Sequence, residues 1–316
     1  MGLRRAVGGA LRGRGLAHQL GLALSALLVA AGAMPGLAAA VAGSIRGPAL
    51  RRTACGAACW HWPPGRTGLF RRCASTGSAP AVDPGAVAAA LHDVQARVSA
   101  AAAGRPVQLV AVSKTKPAAA VAAALDAGQV VFGENYVQEL LDKAPLVPIN
   151  ARWHFIGRLQ SNKARKIVAS VPNLAAIETV DSVSLADKLA AAAAASGRGA
   201  GDSPAIDAYV QVDTSGEDTK GGVAPSEAPA LAAHIAAKCA PGLRFAGLMT
   251  IGAVGDLGAF DTLVATRETV ARELGIPAEE VGLSMGMSGD FEEAIRRGAT
   301  SVRVGSQIFG ARAPKR

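Results

Sequence analysis

The chain has 316 residues, of which half are hydrophobic and only 18% are charged. This composition excludes a disordered or coiled-coil chain, and the length allows one large domain or two ordinary ones. The formal net charge is +9, but residues 1–80 contain ten Arg and no Lys, Asp or Glu, so the rest holds 23 basic and 24 acidic side chains. Composition therefore gives no reason to expect a nucleic-acid partner.

The first eighty residues are predicted to be an organelle transit peptide, disordered and removed after import. They are rich in Arg, Ala and Gly and lack acids, and Arg71–Ser75 resembles a mitochondrial processing site. We expect a mitochondrial location, with the plastid as the alternative and the cytoplasm if the leader does not function. A membrane span is the competing interpretation, because Leu20–Gly43 carries no charge, although Pro35 and its many Ala and Gly residues weaken insertion. We expect no membrane association of the mature form.

The cysteines predict neither a disulfide nor a metal site. Cys55, Cys59 and His61 could form half of a zinc site, but no later segment supplies the missing ligands at a suitable spacing. Cys239 is the one cysteine after residue 80, so an internal disulfide is impossible there and the fold depends on its core.

Residues 81–316 are predicted to form a single (β/α)8 barrel of the TIM type, preceded by a helix. Asp83-Pro84 is a typical helix start, and the apolar-periodic run 87–103 follows it. The predicted strands are 108–112, 130–132, 153–156, 176–180, 208–212, 244–249, 282–285 and 301–304. The helices that follow them are predicted at 117–127, 136–143, 162–169, 183–195, 225–239, 257–274, 291–297 and after Gly305. Eight parallel strand–helix units close a barrel, and no dinucleotide or Walker-type glycine motif favours an open sheet.

Lys114 is the first candidate site residue, because it ends an apolar strand. At the carboxyl end of a barrel strand its amine can lie in the mouth, lose part of its hydration and attack an aldehyde to form a Schiff base. The alternative is a solvent-facing lysine at a strand end. Lys116 is the stronger candidate for that ordinary role, since it precedes the helix-starting Pro117.

The loops after strands seven and eight predict an anion site. Ser284–Asp290 and Gly305-Ser306 each bring small residues and a hydroxyl to the start of a helix. Backbone N–H groups at such positions bind phosphate, and these two loops commonly do so in barrels. The alternative is that Ser288 or Asp290 simply caps the next helix.

Arg303 lies between two apolar residues of the last strand, so we expect it to point into the barrel toward a ligand. A guanidinium that faces a pyridine nitrogen would keep that nitrogen unprotonated. The alternative is an internal ion pair with a strand carboxylate such as Glu134 or Asp213.

Six segments together resemble the pyridoxal phosphate homeostasis protein family, over residues 85 to 313 and in the same order. They are Ala-Val-Ser-Lys-Thr-Lys-Pro (111–117), Phe-Gly-Glu-Asn-Tyr-Val-Gln-Glu (132–139), Trp-His-Phe-Ile-Gly-Arg-Leu-Gln-Ser-Asn-Lys (153–163), Gly-Leu-Met (247–249), Leu-Ser-Met-Gly-Met-Ser (283–288) and Val-Arg-Val-Gly-Ser-Gln-Ile-Phe-Gly (302–310). The resemblance implies a barrel like the N-terminal domain of alanine racemase.

The resemblance also implies roles for single residues toward pyridoxal 5′-phosphate (PLP). It implies that Lys114 holds PLP as an internal aldimine and that Asn135 lies near the ring. It further implies that Arg303 faces the ring nitrogen, and it assigns the phosphate to Ser288, Gly305 and Ser306. Ser306 departs from the usual threonine but keeps the hydroxyl, and the role of Arg158 stays open, because the family commonly has another residue there.

The expected function is that of a carrier or regulator of free PLP, without catalytic residues. Racemases of this fold take their second base from an additional β-domain, and we expect none here because the sequence ends at Arg316, after the eighth unit. The alternatives are a PLP-dependent amino-acid racemase, a cofactor-free aldolase that uses Lys114, and a scaffold. The expected partners are PLP and PLP-dependent apoenzymes, and the expected state is a monomer or weak dimer.

Overall fold

A computed structural model describes residues 82–216, 221–252 and 255–311. The predicted transit peptide, the charge-free run 20–43 and the cysteines at 55, 59 and 73 lie outside these residues. Among the helices described, none combines the length and apolar character needed to cross a bilayer.

Eight parallel strands form a closed barrel in chain order, with the last strand hydrogen-bonded to the first, so the predicted fold class is confirmed. The strands are β1 Gln108–Val112, β2 Val131–Glu134, β3 Arg152–Phe155, β4 Leu174–Val180, β5 Ile206–Gln211, β6 Leu243–Met249, β7 Gly282–Met287 and β8 Ser301–Val304. Because all strands are parallel, the loops at their carboxyl ends share one mouth of the barrel.

Helices follow the strands on the outside of the barrel, and one further helix precedes β1. They are α1 Pro84–Ala102, α2 Ala118–Asp126, α3 Val137–Lys143, α4 Ala164–Ser170, α5 Val183–Ala195, α6 Ala228–Lys238, α7 Gly258–Leu274, α8 Phe291–Arg296 and α9 Ser306–Phe309. Short 3-10 turns occupy 144–146, 161–163 and 278–280.

The predicted bounds of β1, β8 and α5 agree with the structure, and those of other elements shift by up to three residues. The largest helix shift is at α6, predicted from residue 225, because residues 225–227 form a turn before the helix begins. A carboxylate oxygen of Glu227 accepts the Ala224 N–H at 3.1 Å and stabilises that turn.

The opening helix begins and packs as its sequence predicts. The Asp83 carboxylate accepts the N–H groups of Gly85 and Ala86 at 2.9 and 3.2 Å, a cap that contributes about 1 kcal/mol. The buried side chains of α1 recur every three to four residues and comprise Val87, Leu91, Val94, Val98 and Ala102. This helix packs against α2, α8 and α9, and so links the first strand–helix unit to the last two.

The core between barrel and helices is aliphatic, with few aromatic contributions. Phe132 and Trp153 pack on adjacent strands with ring centroids 5.8 Å apart. Full burial of such a side chain stabilises the fold by about 1.5–3 kcal/mol. The barrel interior contrasts with this core, because Glu178, His154 and Arg303 are buried within it.

Candidate functional site

A cavity of about 330 Å³ opens at the carboxyl ends of the strands. Its lining includes all six predicted site residues, which are Lys114, Asn135, Ser288, Arg303, Gly305 and Ser306. Its apolar wall includes Val112, Ile156 and Met249. The structure thus brings together residues from four loops that the sequence separates by up to 192 positions, from Lys114 to Ser306.

Lys114 lies in a turn that follows β1 directly. The turn is closed by a hydrogen bond from the Lys116 N–H to the Ser113 carbonyl at 3.0 Å. Thr115 has a φ of 65°, in the left-handed region that a β-branched residue rarely adopts. Lys114 itself is half-buried and faces the cavity rather than lying fully in solvent.

Lys116 differs from the expectation of an ordinary solvent-facing lysine. It is half-buried, lines the same cavity and donates from Nζ to the Ala311 carbonyl at 2.8 Å. Burial lowers the pKa of its ammonium group. The cavity wall therefore includes two lysines that follow β1.

Behind the Lys114 turn lies a buried ion cluster that sequence reasoning missed. Lys143 Nζ donates to Glu134 Oε1 at 2.7 Å, to Glu139 Oε1 at 2.6 Å and to the Ser113 carbonyl at 2.7 Å. Glu134 is fully buried; burial raises the pKa of its carboxyl group, while Lys143 and the Ser113 hydroxyl oppose that rise. The sequence signal was a lysine in α3 at helical spacing from Glu139.

Asn135 follows β2 and presents a buried amide oxygen, Oδ1, that has no hydrogen-bond partner among the described residues. Its backbone is held by close contact with Gly157, the second residue of the loop after β3. A Cβ at Gly157 would lie 1.9 Å from the Asn135 carbonyl oxygen, so only glycine allows this approach. Arg158, the next residue, is exposed and lies with Asn135 in an adjoining groove.

The loops after β7 and β8 are joined directly. The Ser288 hydroxyl accepts the Gly305 N–H at 3.2 Å, and the Gln307 side-chain amide donates to the Ser288 carbonyl. Asp290 occupies the N-cap position of α8, as the alternative interpretation allowed, but no side-chain capping hydrogen bond is formed there. Asp290 instead accepts the Met287 N–H at 2.6 Å, which shapes the loop itself.

Arg303 points into the barrel and lines the cavity, with only 4% of its surface exposed. It donates to the Ser284 hydroxyl at 2.6 Å and to the Thr250 carbonyl at 2.7 Å. Burial lowers the pKa of the guanidinium, while the negative charge of Glu178 opposes that effect.

The ion pair of Arg303 is with Glu178, at 3.9 Å, and not with either carboxylate named from the sequence. Glu134 is held by Lys143, and Asp213 instead accepts the N–H groups of Ser215 and Gly216. The alternative interpretation, an ion pair of Arg303 with Glu134 or Asp213, was therefore wrong about the partner. Glu178 was missed because the sequence reasoning considered only residues at strand ends, and Glu178 lies within the predicted fourth strand. The signal that could have found it was an acid among the apolar residues of that strand.

Glu178 connects three polar side chains inside the barrel. Its Oε1 contacts His154 Nδ1 at 2.6 Å, and its Oε2 accepts the Ser284 hydroxyl at 2.6 Å. Burial alone would raise the pKa of Glu178, but His154, Arg303 and Ser284 together hold that pKa below its ordinary value. The carboxylate is thus ionised and keeps the Arg303 guanidinium in place.

The cavity fits an aromatic aldehyde with an anionic tail. Its volume lies at the lower end of the range of about 300–1,000 Å³ that is usual for small-ligand sites. The unpartnered Asn135 amide oxygen can receive a polar group of the ligand, and two serine- and glycine-bearing loops lie at helix starts, where N–H groups lack intrahelical partners. The residues present therefore suit PLP.

A second group of reactive side chains lies away from this cavity, between α5 and α6. The ligand atoms of Asp187, His234 and Cys239 lie within 4.8 Å of one another. His234 Nε2 already pairs with Asp187 at 2.6 Å, and burial raises the pKa of the Cys239 thiol. In this arrangement the trio packs two helices together.

Comparisons with known proteins identify relatives of this chain. The family described as "Alanine racemase, N-terminal domain" matches residues 83–313. A human protein named "Pyridoxal phosphate homeostasis protein" is 49% identical over 244 residues, which cover 72% of this chain and 86% of the human one.

Two solved structures are also similar to the chain. An unknown protein from Bifidobacterium adolescentis has 34% identity and a TM-score of 0.63, and the match covers 72% of this chain and 98% of that one. PipY of Synechococcus elongatus, solved with PLP bound, has 33% identity and a TM-score of 0.58, and the match covers 71% of this chain and all of PipY.

Proposed function

Because the chain belongs to the pyridoxal phosphate homeostasis protein family, we propose that it binds PLP in this cavity and acts in intracellular PLP homeostasis as a carrier or regulator. We further propose that Lys114 holds the cofactor covalently, as an internal aldimine. The observation that carries the proposal is that Lys114 and the two anion-suited loops line one cavity.

Beside Lys114, the predicted site residues have three parts in this proposal. Ser288 and Ser306 offer their hydroxyl groups to the phosphate and Ser306 its backbone N–H, while the Gly305 N–H holds the Ser288 hydroxyl beside them. Arg303, held by Glu178, faces the ring nitrogen, and Asn135 offers its amide to the ring. Bound PLP supplies an aldehyde and an aromatic ring able to accept electrons, while these residues fix its orientation.

The position of Arg303 favours a carrier over a strong catalyst. A permanently charged guanidinium opposite the ring nitrogen keeps that nitrogen unprotonated, which weakens the electron sink that racemisation requires. An amino-acid racemase remains the second candidate, since the fold is that of the alanine racemase domain. Assay of the purified protein with L-alanine and L-serine separates the two, because conversion of either amino acid into its D isomer would establish the enzyme.

Borohydride trapping tests the covalent attachment. The protein is incubated with PLP, reduced, digested and examined by mass spectrometry for a phosphopyridoxyl adduct. We expect the adduct on Lys114 and its loss in Lys114→Ala, with the barrel still folded by circular dichroism. Lys116→Ala is the matched control, because Lys116 lines the same cavity; an adduct that persists in Lys114→Ala and disappears in the control would transfer the role to Lys116.

The absorbance spectrum separates the proposal from a cofactor-free aldolase. We expect the purified protein to show an absorbance band near the violet end of the visible range. Loss of this band in Lys114→Ala would indicate bound PLP. Carrier action is tested by mixing the loaded protein with a PLP-dependent apoenzyme, which should regain activity while free PLP stays low. Failure to reactivate the apoenzyme would contradict delivery of PLP to enzymes, and the proposed role would then be limited to regulation of free PLP.

We also propose that residues 1–80 direct the protein to the mitochondrion. The support is the excess of arginine over acid in that segment. Fusion of these residues to a fluorescent protein should give mitochondrial fluorescence, and replacement of the ten arginines by glutamine should abolish it. Plastid or cytoplasmic fluorescence of the unmodified fusion would contradict the proposal.

A further inference from the structure

Helix α3 holds both peptide groups that flank Lys114. The carbonyl of the preceding peptide, from Ser113, accepts a hydrogen bond from Lys143 Nζ at 2.7 Å. The N–H of the following peptide, from Thr115, donates to Glu139 Oε1 at 2.5 Å. The backbone on either side of the lysine is therefore fixed by two side chains one helical turn apart.

The turn that these bonds hold is strained. Thr115 adopts a φ of 65°, which costs a β-branched residue on the order of 1–3 kcal/mol. Such a conformation persists only where surrounding contacts determine it. The contact from Glu139 falls directly on the strained residue.

The Lys143 ammonium and the carboxylates of Glu134 and Glu139 form the anchor of this turn. The Lys143 ammonium has three hydrogen-bond donors, and three acceptors surround it at 2.6 to 2.7 Å, namely the Ser113 carbonyl and the carboxylates of Glu134 and Glu139. The Lys143 side chain is 8% exposed, and Glu134 also accepts the Ser113 hydroxyl at 2.7 Å. The end of α3 is thus tied to the ends of β1 and β2 at one point.

We propose that Lys143 and Glu139 are positioning residues that hold the strained turn so that the Lys114 amine faces the cavity, and that they thereby set the rate of aldehyde capture. This inference rests on the proposed function. Loss of the anchor allows the turn to relax away from the left-handed conformation at Thr115, which moves the amine away from the ligand. A displacement of about 1 Å lowers the rate of such a reaction by about tenfold to a hundredfold.

The test separates capture from binding by the use of two ligands. Stopped-flow absorbance follows covalent capture of PLP by the PLP-free protein, and equilibrium dialysis measures the affinity for pyridoxine 5′-phosphate, which lacks the aldehyde. In Lys143→Met and in Glu139→Ala we expect capture to be slower by about tenfold or more, with the affinity for pyridoxine 5′-phosphate unchanged. Glu139→Gln keeps an acceptor oxygen for the Thr115 N–H and should restore most of the rate.

Two matched controls guard against general damage. Gln138→Ala alters an exposed residue of the same helix, and Lys166→Met removes an exposed lysine from α4; both should capture PLP at the wild-type rate. Glu139 is 22% exposed, so Glu139→Ala decides the question if Lys143→Met does not fold.

Three outcomes have different meanings. Wild-type capture rates in Glu139→Ala and in a folded Lys143→Met would overturn the positioning role. Equal losses of capture rate and of pyridoxine 5′-phosphate affinity would also overturn it, because the cluster would then support the cavity as a whole. Lys114→Ala is measured in parallel: if it captures PLP like the wild type, the proposed attachment to Lys114 fails, whatever the α3 variants show.

Discussion

Arg303 and Glu178 face each other inside the barrel at 3.9 Å, and the Ser284 hydroxyl lies within 2.6 Å of both side chains. Glu178 is on β4, Ser284 on β7 and Arg303 on β8, so the contact crosses the closed barrel. It explains how a guanidinium that is 4% exposed can remain oriented toward the cavity.

Glu178→Gln should destabilise the protein. The substitution leaves Arg303 buried without its counter-charge, which costs on the order of 3 kcal/mol. Urea unfolding followed by circular dichroism measures the loss, with Glu280→Gln, at an exposed position, as the control. A variant as stable as the wild type would mean that the Thr250 carbonyl and Ser284 satisfy Arg303 without the carboxylate.

The stability difference between wild type and Glu178→Gln should shrink in acid. The pKa of Glu178 is lowered in the folded state, so its contribution is fully present above the ordinary glutamate pKa of about 4.3 and is lost as the pH falls through the folded value. Unfolding free energies across a pH series measure the trend. A difference that widened below about pH 4 would contradict the assigned direction.

Arg303→Glu should alter the spectrum and retention of PLP. The substitution removes the positive charge at the proposed ring-nitrogen position and places a second carboxylate near Glu178, one of which must take up a proton. Absorbance spectra of the PLP-loaded protein measure the change, and Arg303→Gln gives the same comparison without charge reversal. Unchanged spectra in both variants would make Arg303 a structural partner of Glu178 alone.

Gly157→Ala should weaken PLP binding and the fold together. The added Cβ would lie 1.9 Å from the Asn135 carbonyl oxygen, so the loop after β2 must move, at a cost of about 1–3 kcal/mol. Gly85→Ala is the control, because its added Cβ meets only an ordinary contact at 3.4 Å. Thermal unfolding and PLP titration measure both effects; wild-type values in both would show that the loop absorbs the methyl group.

Ser306→Ala should weaken PLP more than pyridoxal, which lacks the phosphate. Loss of one hydroxyl donor to a charged group costs about 1.5 kcal/mol or more, or roughly tenfold in affinity. Titration with each ligand measures its loss of affinity, and the two losses are then compared. Ser99→Ala, at an exposed site on α1, is the control. Equal effects on both ligands would remove Ser306 from the phosphate site.

The barrel and the strand-end residues could be predicted because each depends on the local pattern of residues along the sequence. A short β-branched run predicts a strand, and the first residues after it lie at the mouth of any parallel barrel, as Lys114 does. The partner of Arg303 could not be predicted in this way. Which side chains meet inside a barrel depends on its register, and the pairing of β7 with β8 includes a shift between Ser284 and Met287.

Lys143 was missed for a different reason. A lysine on a helix is usually solvated, so the sequence favours an exposed position. Its burial follows from two acids, Glu134 and Glu139, that converge on it from β2 and from its own helix. Only the packed structure places them together with the Ser113 carbonyl.

The pairing of β8 with β1, in which Ala111 lies opposite Val304, brings the first loop beside the last. Lys114 and Ser306 line one cavity only when the final strand docks, so under the proposed function an incompletely folded chain would offer PLP an amine but not the loop expected to bind its phosphate. Under the proposed function, retention of PLP would therefore report that the barrel has closed between β8 and β1.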